Sequence, residues 1–338
     1  MSTKIVRALL APPAFWLDQG ATVSAFPAGT GLALTPIPVV DGVATVDLTS
    51  SVVNADDTAR ARMLIQLNAS LQQVQGISSA RISVNQNEVV IPPLSGDAPS
   101  LASGRDTRLA VLANRRFGFL QSGQFEEIEA LSAAVATLIP DAIFYSQQFT
   151  EAILTRSDGL WQVDGEGEVT VLDDRDGLLR GIVDSCRYTW SSTSALSSDM
   201  IRIFDPDGEV TSLGLELAGE SSLVSIELAR DNTRLLLLIQ SGSGGRALVT
   251  AVSRDDSCRP TGFSDFVELG VRSGDAIDGA WVDDASVAVV VEDPVTRQAE
   301  VTVFDIGGRS SSLGQPARPV TLVGGVGGVS GLRILSDE

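Results

Sequence analysis

The sequence predicts a mainly β fold in two parts, a small N-terminal α+β domain followed by a C-terminal β-propeller of five blades, with six as the alternative count. Three observations carry this: a hairpin that recurs, the interval at which it recurs, and a Pro/Gly/Ser-rich seam ahead of the first copy. Residues 159–172 read as two strands around a Gly-rich turn, with apolar residues alternating in the second run. Shifted by 41 residues, the stretch matches 200–213, which puts Asp205 under Asp164, Gly208 under Gly167 and Glu209-Val210-Thr211 under Glu168-Val169-Thr170. A further shift of 100 adds Phe304, Asp305, Gly308 and Leu313. Anchored on the last residue of each first strand, the copies fall at Phe119, Val163, Phe204, Val252 and Phe304, with spacings of 44, 41, 48 and 52. A four-stranded antiparallel blade takes about 40 to 50 residues, and helical repeats would not alternate around Asp-Gly turns.

Taken in order, residues 1–91 supply the α+β domain. Ile5, Val6, Leu9 and Leu10 recur at helical spacing until Pro12-Pro13 stops them. Residues 36–40 and 43–48 flank Asp41-Gly42, a strong two-residue hairpin signal, and turn Ala44, Val46 and Leu48 toward a core. Asp56 or Asp57 is placed to cap the longest helix, marked by Ala59, Met63, Leu67, Leu71 and Val74, with Gly76 as its left-handed terminator. Residues 80–85 and 88–91 alternate as a second hairpin. Residues 92–106 have no periodicity and the composition of a linker.

The propeller is assigned to residues 107–338 and should contain little helix. It begins in mid-blade with strands at 109–112 and 116–120, continues through 223–229 with 235–240 and 277–281 with 287–292, and ends at 331–335. That last run reads as an innermost strand, so the two ends are expected to share one composite blade, which hides edge strands. The copy at 247–252 departs from the others. There the tight turn reads as lost to an insertion carrying Cys258, since Ser253 to Leu269 spans 16 residues where Asp205 to Leu213 spans 8.

At 338 residues and 43% apolar content the chain has material for two cores. Its 24 basic and 43 acidic residues give a net charge of −19, which repels nucleic-acid phosphate and anionic lipid headgroups and argues against both as direct partners. The absence of histidine removes catalytic triads and zinc sites built on that residue. Asp205-Pro-Asp207-Gly-Glu209 is too short for a calcium loop. No catalytic, cofactor-binding or metal-binding residue is assigned, and no cofactor. A carboxylate pair could do glycoside chemistry without histidine, and Asp278, Asp283 and Asp284 lie beside a central strand, where exposed turn residues are the plainer reading. A glycan-binding propeller needs exposed aromatics. Trp16, Trp161, Trp190 and Trp281 are scattered, and three fall in strands where core packing suits them better.

Val6-Arg-Ala-Leu-Leu-Ala, Phe26-Pro-Ala-Gly-Thr, Asp41-Gly-Val-Ala-Thr-Val-Asp-Leu48, Gln66-Leu67 and Gly76-Ile-Ser-Ser-Ala-Arg-Ile82 resemble the GerMN domain of the actinobacterial LpqB lipoproteins. Gly279-Ala-Trp-Val-Asp-Asp284 and Val329-Ser-Gly-Leu-Arg-Ile-Leu335 resemble that family's propeller. The resemblance covers nearly the whole chain. It implies a non-catalytic, extracytoplasmic lipoprotein, anchored to the cell membrane through an N-terminal lipid. It also implies a partner, the extracytoplasmic domain of a membrane histidine kinase of the MtrB type in a two-component system tied to envelope homeostasis and division. The signal peptide and lipobox cysteine of that family are not in these residues, so the chain reads as a soluble, truncated, monomeric ectodomain. Cys186 and Cys258 fall in loops of neighbouring blades that emerge on one face, so a disulfide between them is allowed, with two unpaired thiols as the alternative. An extracytoplasmic location would keep it oxidised.

Overall fold

The structure, a computed structural model, describes residues 1–17, 20–94, 108–195, 197, 199–215, 217, 221–325 and 328–337. Most of the linker assigned to 92–106, and the first propeller residue Thr107, lie outside the described residues. The chain divides into two units, 1–104 and 105–338, each described by itself.

In the first unit, α1 (Ser2–Leu10) buries Val6 and stops where Ala11 turns extended ahead of the prolines. Strands β1 (Val39–Val40) and β2 (Val43–Leu48) form the expected hairpin, with Asp41 at φ 48° and Gly42 at φ 79°, the paired left-handed conformations of a type I′ turn. Helix α2 (Asp57–Leu71) starts where Asp56 accepts a hydrogen bond from the Ala59 amide at 2.7 Å. It ends at Leu71, short of Gly76, whose φ of 87° belongs to the following turn. Strand β3 (Ser79–Val84) then runs parallel to β2, pairing Val46 with Ile82, and β4 (Asn87–Glu88) closes the sheet in the order β1-β2-β3-β4. The strands of a parallel pair need a crossover between them, and α2 supplies it. Ala44, Val46 and Leu48 are fully buried against Met63, Leu67 and Leu71.

The second unit is a series of antiparallel sheets. The first holds three strands, β5 (Leu109–Ala113), β6 (Arg116–Gln121) and β7 (Gln124–Glu127). It is followed by α3 (Glu129–Leu138), a helix absent from the sequence-based expectation. Leu131 and Val135 seal this helix against Phe117, and the Ser132 hydroxyl both accepts from the Phe117 amide (2.9 Å) and donates to the Phe117 carbonyl (3.1 Å). Next come β8 (Ala142–Ser146), β9 (Glu151–Arg156), β10 (Gly159–Val163) and β11 (Val169–Asp173), then β12 (Ile182–Val183), β13 (Thr189–Ser192), β14 (Ile201–Phe204) and β15 (Val210–Leu213). Each set of four forms one sheet with its strands in chain order.

The following sheet has β16 (Ser221–Leu228), β17 (Arg234–Ser241), β18 (Gly244–Arg254) and β19 (Pro260–Phe263), with β20 (Val267–Leu269) also on β18. Strands β21 (Asp275–Trp281), β22 (Ser286–Glu292), β23 (Ala299–Asp305) and β24 (Ser310–Gly314) make a further four-stranded sheet. The second strands β17 and β22 carry unbroken buried apolar runs, Leu235–Ile239 and Val287–Val291. Both of their faces meet neighbours, so alternation gives way to continuous hydrophobicity.

At the C-terminal end the structure corrects the reading. The strand packed against β21 is β25 (Pro319–Val323), and β26 (Arg333–Ser336) pairs outside it with all four residues exposed. The run at 331–335 is therefore not innermost. Its alternating Ile and Leu mimic a core strand, but the residue sealed in the core is Leu322. Among the described residues β25–β26 and β5–β7 remain separate sheets, so strand pairing closes no composite blade and fixes no count of five.

Candidate functional site

One turn is built four times. At the ends of β10, β14, β18 and β23 stand Asp164, Asp205, Asp255 and Asp305, and each aspartate accepts from the amide two residues on, between 2.8 and 3.0 Å. The first three also accept from the amide four residues on, at 2.9 Å. The residue three beyond each aspartate has positive φ: Gly167, Gly208, Cys258 and Gly308, at 89°, 86°, 65° and 98°. The tight turn at 255–259 is thus retained, contrary to the reading of a loop lost to insertion. Cysteine stands where the other copies have glycine, which disguised it, and the extra residues follow β19 instead. The carboxylates are spent on backbone amides, and among the described residues no group of three or more acidic or cysteine side chains could hold a metal ion.

A turn of the same kind joins β12 to β13. There Asp184 Oδ1 accepts from the amides of Cys186 (3.0 Å) and Tyr188 (2.9 Å), and Arg187 takes φ 65°. Cys186 of this turn and Cys258 of the 255–259 turn are joined as a disulfide with their Cα atoms 6.3 Å apart. The bridge lies inside a polar junction of three sheets. Arg254, at the end of β18, donates from Nη1 to Asp184 Oδ2 and to the Cys258 carbonyl, each at 2.8 Å. Trp190 Nε1 also donates to Asp184 Oδ2 (3.2 Å), Asn232 exchanges hydrogen bonds with Ser185, and the Tyr188 hydroxyl donates to the Ser257 carbonyl (3.4 Å). On the other side Arg187 reaches the fully buried Glu151 of β9 at 3.1 Å, and Gln148 donates to the Ser185 carbonyl (3.2 Å). Glu151 Oε2 also accepts from Gln162 (2.7 Å), while its Oε1 is buried without a partner.

The three carboxylates considered for glycoside chemistry are not brought together. Asp278 is buried in β21 and accepts from the Thr321 hydroxyl (2.6 Å) and the Leu322 amide (2.8 Å), tying β25 to β21. Asp283 and Asp284 are exposed in the next turn, where Asp283 accepts from the Ala285 amide (2.8 Å) and the Asp284 carbonyl accepts from Arg234. Nor do the tryptophans line a groove. Trp16, Trp190 and Trp281 are buried, and Trp161 is half-buried. An open cleft beside β22 and β23 has Val289, Val291 and Phe304 among its lining residues, with Arg272, Asp293 and Glu300 also contributing to it.

A cluster that sequence reasoning missed surrounds Asp173. Burial pushes its carboxyl up, but hydrogen bonds from Arg175 and Ser191 outweigh this and hold it below the ordinary aspartate range. Arg202 approaches the same carboxylate at 3.4 Å and Asp199 at 3.0 Å. Only the density of charge at Asp173-Asp174-Arg175-Asp176 hinted at it.

A family model described as the lipoprotein LpqB beta-propeller domain matches residues 120–329, more than half of the chain. The chain belongs to the LpqB propeller family. A second model, described as sporulation and spore germination, matches residues 1–90, so the LpqB propeller here follows a GerMN-type domain. No curated protein matches the sequence. Among solved structures, the chain is similar to TolB from Acinetobacter baumannii at 13% identity and a TM-score of 0.42, over 61% of this chain and 51% of that one. It is similar to a nidogen/laminin complex at 12% identity and a TM-score of 0.42, over 64% and 81%. A periplasmic gluconolactonase of Pseudomonas aeruginosa aligns at 16% identity and a TM-score of 0.36, over 57% and 56%. The chain thus spans about half the length of TolB.

Proposed function

We propose that this LpqB-family chain is a non-catalytic binding module: the ectodomain of an extracytoplasmic, lipid-anchored protein that engages and modulates the sensor domain of a membrane histidine kinase of the MtrB type. What supports the reading is the occurrence on one chain of the GerMN-type and LpqB propeller domains, with no convergent catalytic constellation among the described residues. Charge adds direction to it. The first 106 residues carry 6 basic and 8 acidic side chains, which leaves 18 and 35 on residues 107–338, so nearly all of the −19 resides in the propeller unit. A basic surface on the partner would be drawn to that unit at low salt and released as salt rises. A lipid anchor raises effective concentration beside the kinase, so micromolar affinity suffices.

The test is to mix the chain, and each unit separately, with the purified sensor domain of the cognate kinase at low and physiological ionic strength. Association carried by the propeller unit and weakening with salt is the expected result. Absence of association by both calorimetry and cross-linking, together with unchanged kinase autophosphorylation when the lipidated protein is co-reconstituted, overturns the reading. The aromatic-groove alternative loses support from the burial of Trp16, Trp190 and Trp281.

A further inference from the structure

We propose that the Cys186–Cys258 bridge is a reversible redox clasp, opened and closed within the folded protein, and not the bond that holds its two sheets together. The first ground is redundancy. The two bridged turns are also joined by the Asp184–Arg254 ion pair and the Tyr188–Ser257 hydrogen bond, and the neighbouring β16–β17 turn adds the Asn232–Ser185 hydrogen bonds. With the covalent link gone, two non-covalent ties still fasten the same two places and a third holds the 184–188 turn to the same neighbouring sheet. The second is access: both cysteines sit half-buried on the edge of the core around Tyr188 and Trp190, and Ser185, Asp256 and Ser257 beside them are exposed, so a small thiol approaches the bridge from its solvent side.

The third ground is backbone conformation. Cys258 holds φ 65° at the position where three sister turns have glycine, and Arg187, next to Cys186, also holds φ 65°. Side-chain-bearing residues adopt this region at a cost, because Cβ crowds the following carbonyl. Both bridged turns therefore carry a local backbone cost at the residue beside or at the cysteine, which their own Asp184 and Asp255 hydrogen bonds sustain without the bridge. The Arg187–Glu151 contact still hooks the 184–188 turn to β9.

The reductant required is a dithiol and the oxidant a disulfide. A thiolate of the dithiol attacks one protein sulfur, the S–S bond breaks, and the departing sulfur leaves as a thiolate that takes up a proton. The second thiol of the reductant then attacks the mixed disulfide. Two electrons and two protons have passed to the protein, and the reductant ends as its own disulfide. The retained ion pair keeps the two thiols adjacent, so re-closure by a disulfide oxidant proceeds within one molecule.

The experiment treats the folded full chain with dithiothreitol, quenches by alkylation and counts adducts by mass, while near-ultraviolet circular dichroism and amide hydrogen exchange are followed in parallel. Two adducts per chain with an unchanged tertiary signal are expected. Exchange should rise at least tenfold in 184–188 and 255–259 alone, and oxidised glutathione should restore the original state in a monomer. Thiols that appear only together with global loss of tertiary signal, or turns whose exchange does not respond to reduction, overturn the proposal. The C186S/C258S double variant should reproduce the reduced exchange pattern. If it does not fold, the bridge is structural and the proposal falls.

Discussion

Asp184 and Arg254 pair at 2.8 Å across two neighbouring sheets, with the carboxylate side chain wholly buried and the arginine side chain 14% exposed. The aspartate also accepts from Trp190 and two backbone amides, so it is the hub on which the junction closes. Replacing Arg254 with Met keeps volume but strands a buried charge. We expect a loss of about 3 to 5 kcal/mol, the range for breaking one side of a buried pair, read from urea unfolding with the disulfide intact.

Cys258→Gly should change sign with redox conditions. In oxidised protein it removes a crosslink between residues 72 apart in sequence, and the chain-entropy model puts the loss at about 4 kcal/mol. In reduced protein it relieves the left-handed cysteine and should stabilise by about 1 kcal/mol. Thermal melts of both proteins with and without reductant give the comparison; an unaltered order in the two conditions contradicts it.

Asp173 has a folded pKa below its unfolded value of about 4. A depressed carboxyl contributes stability that is present above the unfolded pKa and is lost as pH falls through the folded one. Wild type should therefore lose this contribution below about pH 4, and Asp173→Asn should be less stable at neutral pH with a flatter acid limb. Urea titrations at several pH values between 2 and 7 measure both slopes.

Leu322 of β25 is fully buried, and its amide donates to Asp278 at 2.8 Å. Leu322→Ala should cost about 2 to 5 kcal/mol, whereas Leu335→Ala, on exposed β26, should cost under about 0.5 kcal/mol. The reverse order would restore the 331–335 run to the innermost position.

Legibility in the sequence followed the range of the interactions. Asp41-Gly42, Asp56 and the Asp-x-x-Gly turns act within a few residues, so the hairpins and the long helix could be read directly. The turn at 255–259 was missed because a cysteine held the glycine position, although Asp255 lines up with Asp205 as well as Asp305 does. Helix α3 escaped because the β repeat left its alanine-rich run at 129–138 without an assignment. The parallel pairing of β2 with β3, the seat of β25 against β21 and the cluster at Asp173 depend on residues far apart in the chain. Nothing local encodes those contacts. Of the candidate carboxylates, Asp283 and Asp284 are the exposed turn residues the sequence suggested, and only its surroundings revealed Asp278 as a brace; of the three strand tryptophans expected in the core, Trp190 and Trp281 are buried and Trp161 is half-buried.

The four aspartate turns also set an order of assembly. Each closes with hydrogen bonds two to four residues apart, so a hairpin can form with little loop entropy to overcome and before any other sheet exists. The ties between sheets, from Asp278 to Leu322 and from Asp184 to Arg254, bridge 44 and 70 residues and have nothing to join until two finished units meet. Repeats of this kind are expected to form singly and be fastened afterwards, so damage to one turn should register as a slow folding step in that unit.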